Sequence, residues 1–437
     1  MNVLPKKILK AGKKLIQKLI MTTELYNING LANHAAAGAY GFLLSLAPMV
    51  LIIVFSILYF FMPSQQEISA LIGNISFLSE LIDESQLTQS ILSISTHNIS
   101  GIISILSILW ATRILALSIR RGLIVIFPAK KKRNPIMNTV IIIAIDAVIL
   151  LCILTAIVSS RTALYFYNLF DFIPRVTQMD NLIPIIFLGF VSFLAYLLIP
   201  VNSPRRFSAL QGAILCSVAY GITAAVLSYF MDKTRINFLY GTLGNMIFML
   251  INVYFFFSFF FLGAEFAFVT DFFDALFFSK LRQIRIKSKL KNKQKKSIIN
   301  LPSRASSKLF AAESNLDKYL HSYKKKEIIV NKGDTGEEIF YLLEGEVEIL
   351  LSSTPQDNSP ANVLQADSFF GEMGYLLSEE RSATIRAKTD VSVLMLPPSL
   401  FETILKHDKN LDRDIIEHMS RRIKSTNEHL RNLIEDL

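Results

Sequence analysis

Phe370-Gly371-Glu372-Met373 and, nine residues after the glutamate, Arg381-Ser382-Ala383-Thr384 are the two short runs on which the reading of this chain turns. An arginine fork pairs bidentately with the oxygens of an anionic phosphate, and backbone N–H groups beside it add donors. A carboxylate accepts the proton of a sugar hydroxyl. Glycine lets the backbone approach where a Cβ would intrude. Gly371, Glu372, Met373, Arg381, Ser382 and Ala383 therefore suit a pocket for a small ligand bearing one cyclic phosphate and one ribose hydroxyl.

The flanking sequence reads as short strands. Glu327 to Val330 is apolar and ends at the break Lys332-Gly333-Asp334. Ile339 to Leu343 meets a turn at Glu344-Gly345, and Val347 to Ile349 alternates as a half-buried strand does. Ile385 to Ala387 and Val391 to Leu396 complete the set. Together with the two runs, these residues resemble the cyclic nucleotide-binding domain family. The resemblance implies an eight-stranded β-roll closed by a C-terminal helix over residues 316–437. It also implies cyclic AMP or cyclic GMP as regulatory ligand, with no other cofactor. Arg381 would then meet the phosphate and Glu372 the ribose, while Gly371, Ser382 and Ala383 shape the loop. Ser382 stands where members preferring cyclic GMP often carry Thr, so cyclic AMP is favoured mildly. Leu411, Ile415, Met419 and Ile423 recur every four residues, an apolar stripe expected on a helix that covers the bound base and orders residues 412–430.

The chain as a whole is too apolar for a soluble protein of 437 residues, with 52% apolar residues and a mean hydropathy of +0.43. Six stretches approach the ~20 residues a hydrocarbon core requires: Ala35 to Phe61, Ser100 to Ile119, Ile136 to Ser160, Leu182 to Val201, Phe207 to Phe230 and Met246 to Val269. Basic residues set the orientation. Lys6, Lys7, Lys10, Lys13, Lys14 and Lys18 precede the first span; Arg120, Arg121, Lys130, Lys131, Lys132 and Arg133 follow the second, and Arg205 and Arg206 the fourth. Lys280 to Lys308 carries eleven basic residues and no acid, whereas Pro63 to Ile99 has four acids and no Lys or Arg. Both termini are thus expected in the cytoplasm of a multi-pass bacterial inner-membrane protein. The expected organisation is a basic segment 1–34, an all-α membrane domain 35–274, a polybasic linker 275–315 and the roll 316–437.

The net charge of +10 is accounted for by these topological signals, and no nucleic-acid partner is implied. The basic linker suits either anionic lipid headgroups or a solvated tether. Cys152 and Cys216 both fall within spans, and the six histidines show no ligand spacing, so no metal site is expected.

Ala35-Ala36-Ala37-Gly38-Ala39-Tyr40-Gly41-Phe42-Leu43-Leu44-Ser45-Leu46-Ala47-Pro48, Tyr240-Gly241-Thr242-Leu243-Gly244 and Leu262-Gly263-Ala264-Glu265-Phe266 carry a second resemblance. Their order is similar to the YihY/BrkB family of six-span inner-membrane proteins, also labelled ribonuclease BN, for which transport is the usual guess. Two small-residue ladders, Ala213, Ser217, Gly221, Ala225 and Ala37, Gly41, Ser45, suit close helix packing within a subunit, and a homo-oligomer is left open.

Arg113, Asp146 and Glu265 interrupt apolar runs, either as a structural ion cluster or on a substrate path. Counted at ~1.5 Å per residue from the cytoplasmic ends, they lie at similar depths, within reach of an Arg side chain. The favoured reading is a transporter or permease governed by cyclic nucleotide, and not an enzyme. The alternative is a non-transporting scaffold or envelope-assembly factor. A ribonuclease comes a distant third, since clustered metal ligands are lacking. A cyclic nucleotide-gated channel is disfavoured because Leu182 to Val201 has no Arg or Lys and Leu239 to Asn245 resembles no carbonyl-lined filter.

Overall fold

A computed structural model of the protein describes residues 3–44, 99–128, 182–233, 236–293, 316–350, 360, 362–408 and seven positions within 411–420. They belong to two compact units, Leu19–Asp271 and a second made of Met1–Lys18 with Phe272–Leu437.

The helices of the first unit are the end of α1 (Val3–Ile28), α2 (31–44), α3 (Ile99–Ile126), α4 (Leu182–Leu198), α5 (Arg206–Lys233) and α6 (Ile236–Asp271). The second, fourth, fifth and sixth expected spans fall on α3 to α6. Among the described residues, two helices are long and apolar enough to cross a membrane, Arg206–Leu227 and Ile247–Asp271, and Ile185–Leu198 is apolar but shorter. The first expected span is described only to residue 44. The third, with Asp146, lies outside the described residues. The Leu239 to Asn245 stretch, expected as a connection, is helical within α6.

Helix α6 is the hub of this unit, and glycines decide how closely it is approached. A Cβ on Gly212 of α5 would lie 2.3 Å from the Gly263 carbonyl oxygen, and one on Gly263 would lie 2.5 Å from that of Gly212. The two helices therefore cross backbone to backbone. Gly122 of α3 makes room for the Phe261 ring, and Gly38 of α2 for Phe257. From α4, the buried Tyr196 hydroxyl donates to the Phe260 carbonyl at 2.6 Å.

The ladder on α5 works as expected over three of its four members. Ala213 and Ser217 are buried, Gly221 meets Ile185 of α4, and Ala225 is exposed. On α2, Gly41 abuts the Leu115 backbone, but Ala37 is exposed. Buried Leu31, Ala35 and Ala39 accompany Gly38 and Gly41 on the packing side, so the turn-by-turn ladder through Ala37 is replaced by one displaced around the helix.

The second unit holds the roll: β1 (Leu320–Tyr323), β2 (Ile328–Val330), β3 (Ile339–Glu344), β4 (Glu346–Leu350), β5 (Asn362–Gln365), β6 (Phe369–Phe370), β7 (Thr384–Ala387) and β8 (Val391–Leu396). They form two antiparallel sheets in the orders β1-β8-β3-β6 and β2-β7-β4-β5. Phe340, Leu342, Val347, Phe370, Ile385 and Val393 fill the space between them. Gly345, at φ +89°, turns β3 into β4 where a Cβ would lie 2.4 Å from the Asp390 carbonyl oxygen.

The first part of the expected polybasic linker 275–315 lies in a helix, α7 (Phe273–Lys293), that packs on the roll. Phe278 meets the Tyr341 and Phe369 rings at 5.0 and 6.2 Å between centroids. Arg282 pairs with Asp408 at 3.5 Å, both buried, and Arg285 donates to the Leu343 carbonyl at 3.1 Å. Part of the basic run is thus consumed inside the protein, because its apolar residues cover an otherwise naked sheet face. Helix α9 (Pro398–His407) lies beside α7, with Phe401 against Phe369. Of the C-terminal stripe, Leu411 and Ile415 are buried, while Ile423 lies outside the described residues.

Gly263→Ala should destabilise the membrane unit by about 1–3 kcal/mol, as overpacking against immovable backbone does. Gly12→Ala, where a Cβ meets nothing within 4 Å, should be neutral or stabilising by up to ~1 kcal/mol. Thermal unfolding of the detergent-solubilised chain checks both, and equal melting of the two variants would remove the crossing from the account.

Candidate functional site

Strand β6 delivers Phe370 to Gly371, which sits at φ +79°, in the left-handed region that glycine enters freely. The chain then winds into α8 (Glu372–Leu377) and returns through Ser378, also left-handed at φ +55°, to Arg381. The Glu379 N–H donates to the Gly374 carbonyl at 3.1 Å and closes that return.

Arg381 is anchored at both ends. Its backbone N–H donates to the Asp334 carbonyl at 3.0 Å, and its own carbonyl accepts from Gly333 at 2.8 Å. Its side chain is 5% exposed. Nη1 donates to the Gly371 carbonyl at 2.6 Å and Nη2 to the Glu338 carbonyl at 2.7 Å. The guanidinium lies 5.9 Å from the centroid of the Phe340 ring, which stacks on Phe370 at 5.1 Å. Burial draws the Arg381 pKa down, opposed by the carboxylates of Glu338, Asp334 and Glu372. The guanidinium still carries its charge, since its ordinary value leaves a wide margin.

Glu372 opens α8 and is buried, at 2% exposure. Met373 and Ser382 are exposed, and Ala383 is half-buried. The six residues expected to form the site are therefore brought to one loop system, with the acid and the arginine inside and the remainder at its rim. A fork of five donors that spends two on carbonyls keeps others for an anion. The sequence reading missed Glu338, Phe340, Gly336 and Asp334. Asp334 holds the Arg381 backbone through its carbonyl, which no side-chain identity reveals, while Glu338 offers its carbonyl and also its carboxylate, whose Oε2 lies 3.7 Å from Nη2. A Cβ at Gly336 would lie 3.1 Å from Arg381 Nη2.

The cassette is tied onward. Tyr375 of α8 donates to Glu402 of α9 at 2.7 Å, and that bond pushes the Tyr375 pKa up to about 12.

In the other unit, Glu265 is fully buried and accepts from Asn29 Nδ2 at 3.3 and 3.4 Å. Arg113 is exposed on α3, and no ion pair joins it to Glu265 among the described residues. A side-chain amide on the α1–α2 turn holds the Glu265 carboxylate. Asp146 lies outside the described residues. No group of three or more His, Cys, Asp or Glu able to hold a metal occurs among the described residues.

Residues 23–273, more than half of the chain, match the family described as Virulence factor BrkB, and the chain belongs to that family of membrane proteins. Residues 320–408 match the Cyclic nucleotide-binding domain family, so the chain joins a BrkB membrane portion to a cyclic nucleotide-binding roll. The cAMP-activated global transcriptional regulator CRP of Salmonella typhimurium is 27% identical over 116 residues, 26% of this chain and 55% of that protein. A cyclic nucleotide-gated potassium channel of Rhizobium etli is 34% identical over 90 residues, 18% of this chain and 24% of the channel. The crystal structure of the Thermus thermophilus catabolite activator protein aligns with TM-score 0.24 and 21% identity over 28% of this chain and 57% of that one. The chain spans about half the length of the transcriptional regulators it matches, and the assignment rests on the two family matches.

Gly371→Ala should cost the roll roughly 1–2 kcal/mol, the penalty of a left-handed backbone for a residue with a Cβ, and should displace Arg381 Nη1, which a Cβ would approach to 2.9 Å. Denaturant unfolding of the full chain, followed by amide exchange at residues 371–383, reads both effects. Unchanged exchange there would detach Gly371 from the arginine.

Proposed function

We propose that this protein is a six-span inner-membrane transporter or permease, with both termini cytoplasmic, whose state is set by cyclic AMP or cyclic GMP bound to its roll. The observation that carries the regulatory half is Arg381, a buried guanidinium held by two carbonyls 5.9 Å from the Phe340 ring centroid, within the same loop system as buried Glu372. A phosphate would take the remaining donors of the fork, and the Glu372 carboxylate would accept the ribose hydroxyl.

Membrane placement is supported by the outward face of α5, where Phe207, Ile214, Val218, Ile222 and Tyr229 are all more than half exposed. Such a run is costly in water and suited to acyl chains. Transport is supported by Glu265, a carboxylate buried in an apolar helix and bridged to an amide rather than to a cation; ionisable groups at such depth usually mark a path.

Transmission follows from contacts within the second unit. The Tyr375–Glu402 bond passes a shift of α8 to α9, the Asp408–Arg282 pair passes it to α7, and α7 begins two residues after α6 ends. A nucleotide biases this relay only by its differential affinity for the two arrangements.

Titration calorimetry of the full chain in detergent should give saturable binding of a cyclic purine nucleotide. Arg381→Ala should weaken it by about 2–5 kcal/mol, the cost of breaking a buried charge pair. Glu372→Gln should weaken cyclic AMP but spare its 2′-deoxy analogue. Equal affinity in Arg381→Ala sinks the nucleotide assignment. Proteoliposomes that pass no solute with or without nucleotide would leave the scaffold reading in its place.

A further inference from the structure

The first helix is buried on its polar side. Gln17 is 0% exposed, whereas its neighbours Leu15 and Ile16 are 51% and 49% exposed. The ammonium groups of Lys14 and Lys18 lie 4.9 and 5.7 Å from the centroid of the Phe273 ring. The protein-facing side of α1 at this level is thus Gln17 with lysine stems, and the apolar pair looks outward. In a helix surrounded by water the reverse would hold.

The pattern extends along the helix. At about 100° per residue, Leu4, Ile8, Leu15 and Leu19 share one arc with Leu9, Ile16 and Ile20 beside it, and all six lysines from Lys6 to Lys18 fill the rest. No acid occurs before Glu24. A strongly basic helix whose apolar arc in sequence includes the exposed pair Leu15 and Ile16 fits the boundary between headgroups and acyl chains. The far end of α1 is fixed in the membrane unit, where Tyr26 bonds Ser258 at 3.0 Å and Asn29 bonds Glu265. The six lysines of α1 run directly into the membrane-family match that begins at residue 23, and a surface of that charge next to a membrane segment favours anionic lipid over a soluble acidic partner.

We propose that α1 is an interfacial helix lying on the anionic membrane surface, with Leu15 and Ile16 among the acyl chains and Lys13 and Lys14 at phospholipid phosphates. This rests on the membrane placement argued above. It assigns lipid contact to α1, while the basic run after the last span supplies Arg282 and Arg285 to the roll. A helix that touches both lipid and Phe273, the first residue of α7, also exposes the relay to the charge of the bilayer.

The test uses the full chain with Cys152 and Cys216 replaced by Ala, labelled with a fluorophore at Ile16→Cys or, as a reference on α5, at Ile222→Cys. The protein is reconstituted in phosphatidylcholine vesicles with and without phosphatidylglycerol. Quenching by doxyl-labelled lipid and by aqueous iodide is then compared. The expected result is lipid quenching and iodide shielding at position 16 when phosphatidylglycerol is present. Lys13→Gln with Lys14→Gln should reduce the lipid-bound fraction about fivefold per lysine. Iodide quenching at 16 with lipid quenching retained at 222 overturns the interfacial helix and leaves the membrane placement standing. Absence of lipid quenching at both positions overturns the membrane placement itself. Self-quenching that grows with protein density, in place of lipid quenching, assigns the face to a second copy. Lysine variants that bind phosphatidylglycerol vesicles unchanged overturn the headgroup contact.

Discussion

A buried guanidinium must be surrounded by oxygen, because leaving a charged donor unmet in a medium of low polarity costs more than a small domain can spare. Arg381 meets this constraint with the carbonyls of Gly371 and Glu338, one from each side of the pocket. The positions of β6, of the turn before β3 and of the return through Gly333 and Asp334 are all set by that one side chain and its own backbone bonds. The Glu338 carboxylate, 3.7 Å from Nη2, adds a counter-charge to the same fork. The stacked pair Phe340 and Phe370 forms the floor beneath it.

The membrane unit is governed by a different constraint, contact distance. Without water there is no hydrophobic drive between helices, so association depends on backbones that can come close. Gly212 and Gly263 permit the closest approach, and Gly122 and Gly38 admit the aromatic rings of α6 into neighbouring helices. The one fully buried carboxylate on α6, Glu265, is placed where the α1–α2 turn can offer an amide.

Helix α7 changes how the two halves of the sequence are understood. A run rich in lysine and arginine between a membrane span and a sensor reads as a tether. Here Phe278, Arg282 and Arg285 make it part of the sensor's wall.

The cassette was legible in the sequence because side-chain identity carries it: a glycine, a glutamate and an arginine at fixed spacing resemble the cyclic nucleotide-binding domain family that residues 320–408 match. Five of the eight strands were legible from alternation and turn residues. β1, β5 and β6 were not, since their short runs are defined by their partners across the sheet, β8, β4 and β3. Apolar length identified helices α3 to α6, but which small residues would touch was decided by helix rotation, and so Gly38 and Gly41 pack while Ala37 does not. The carbonyl contacts of Glu338 and the outward turn of Leu15 and Ile16 belong to tertiary structure alone. Backbone groups are identical in every residue, and a helix's own sequence fixes its apolar face without fixing what that face meets.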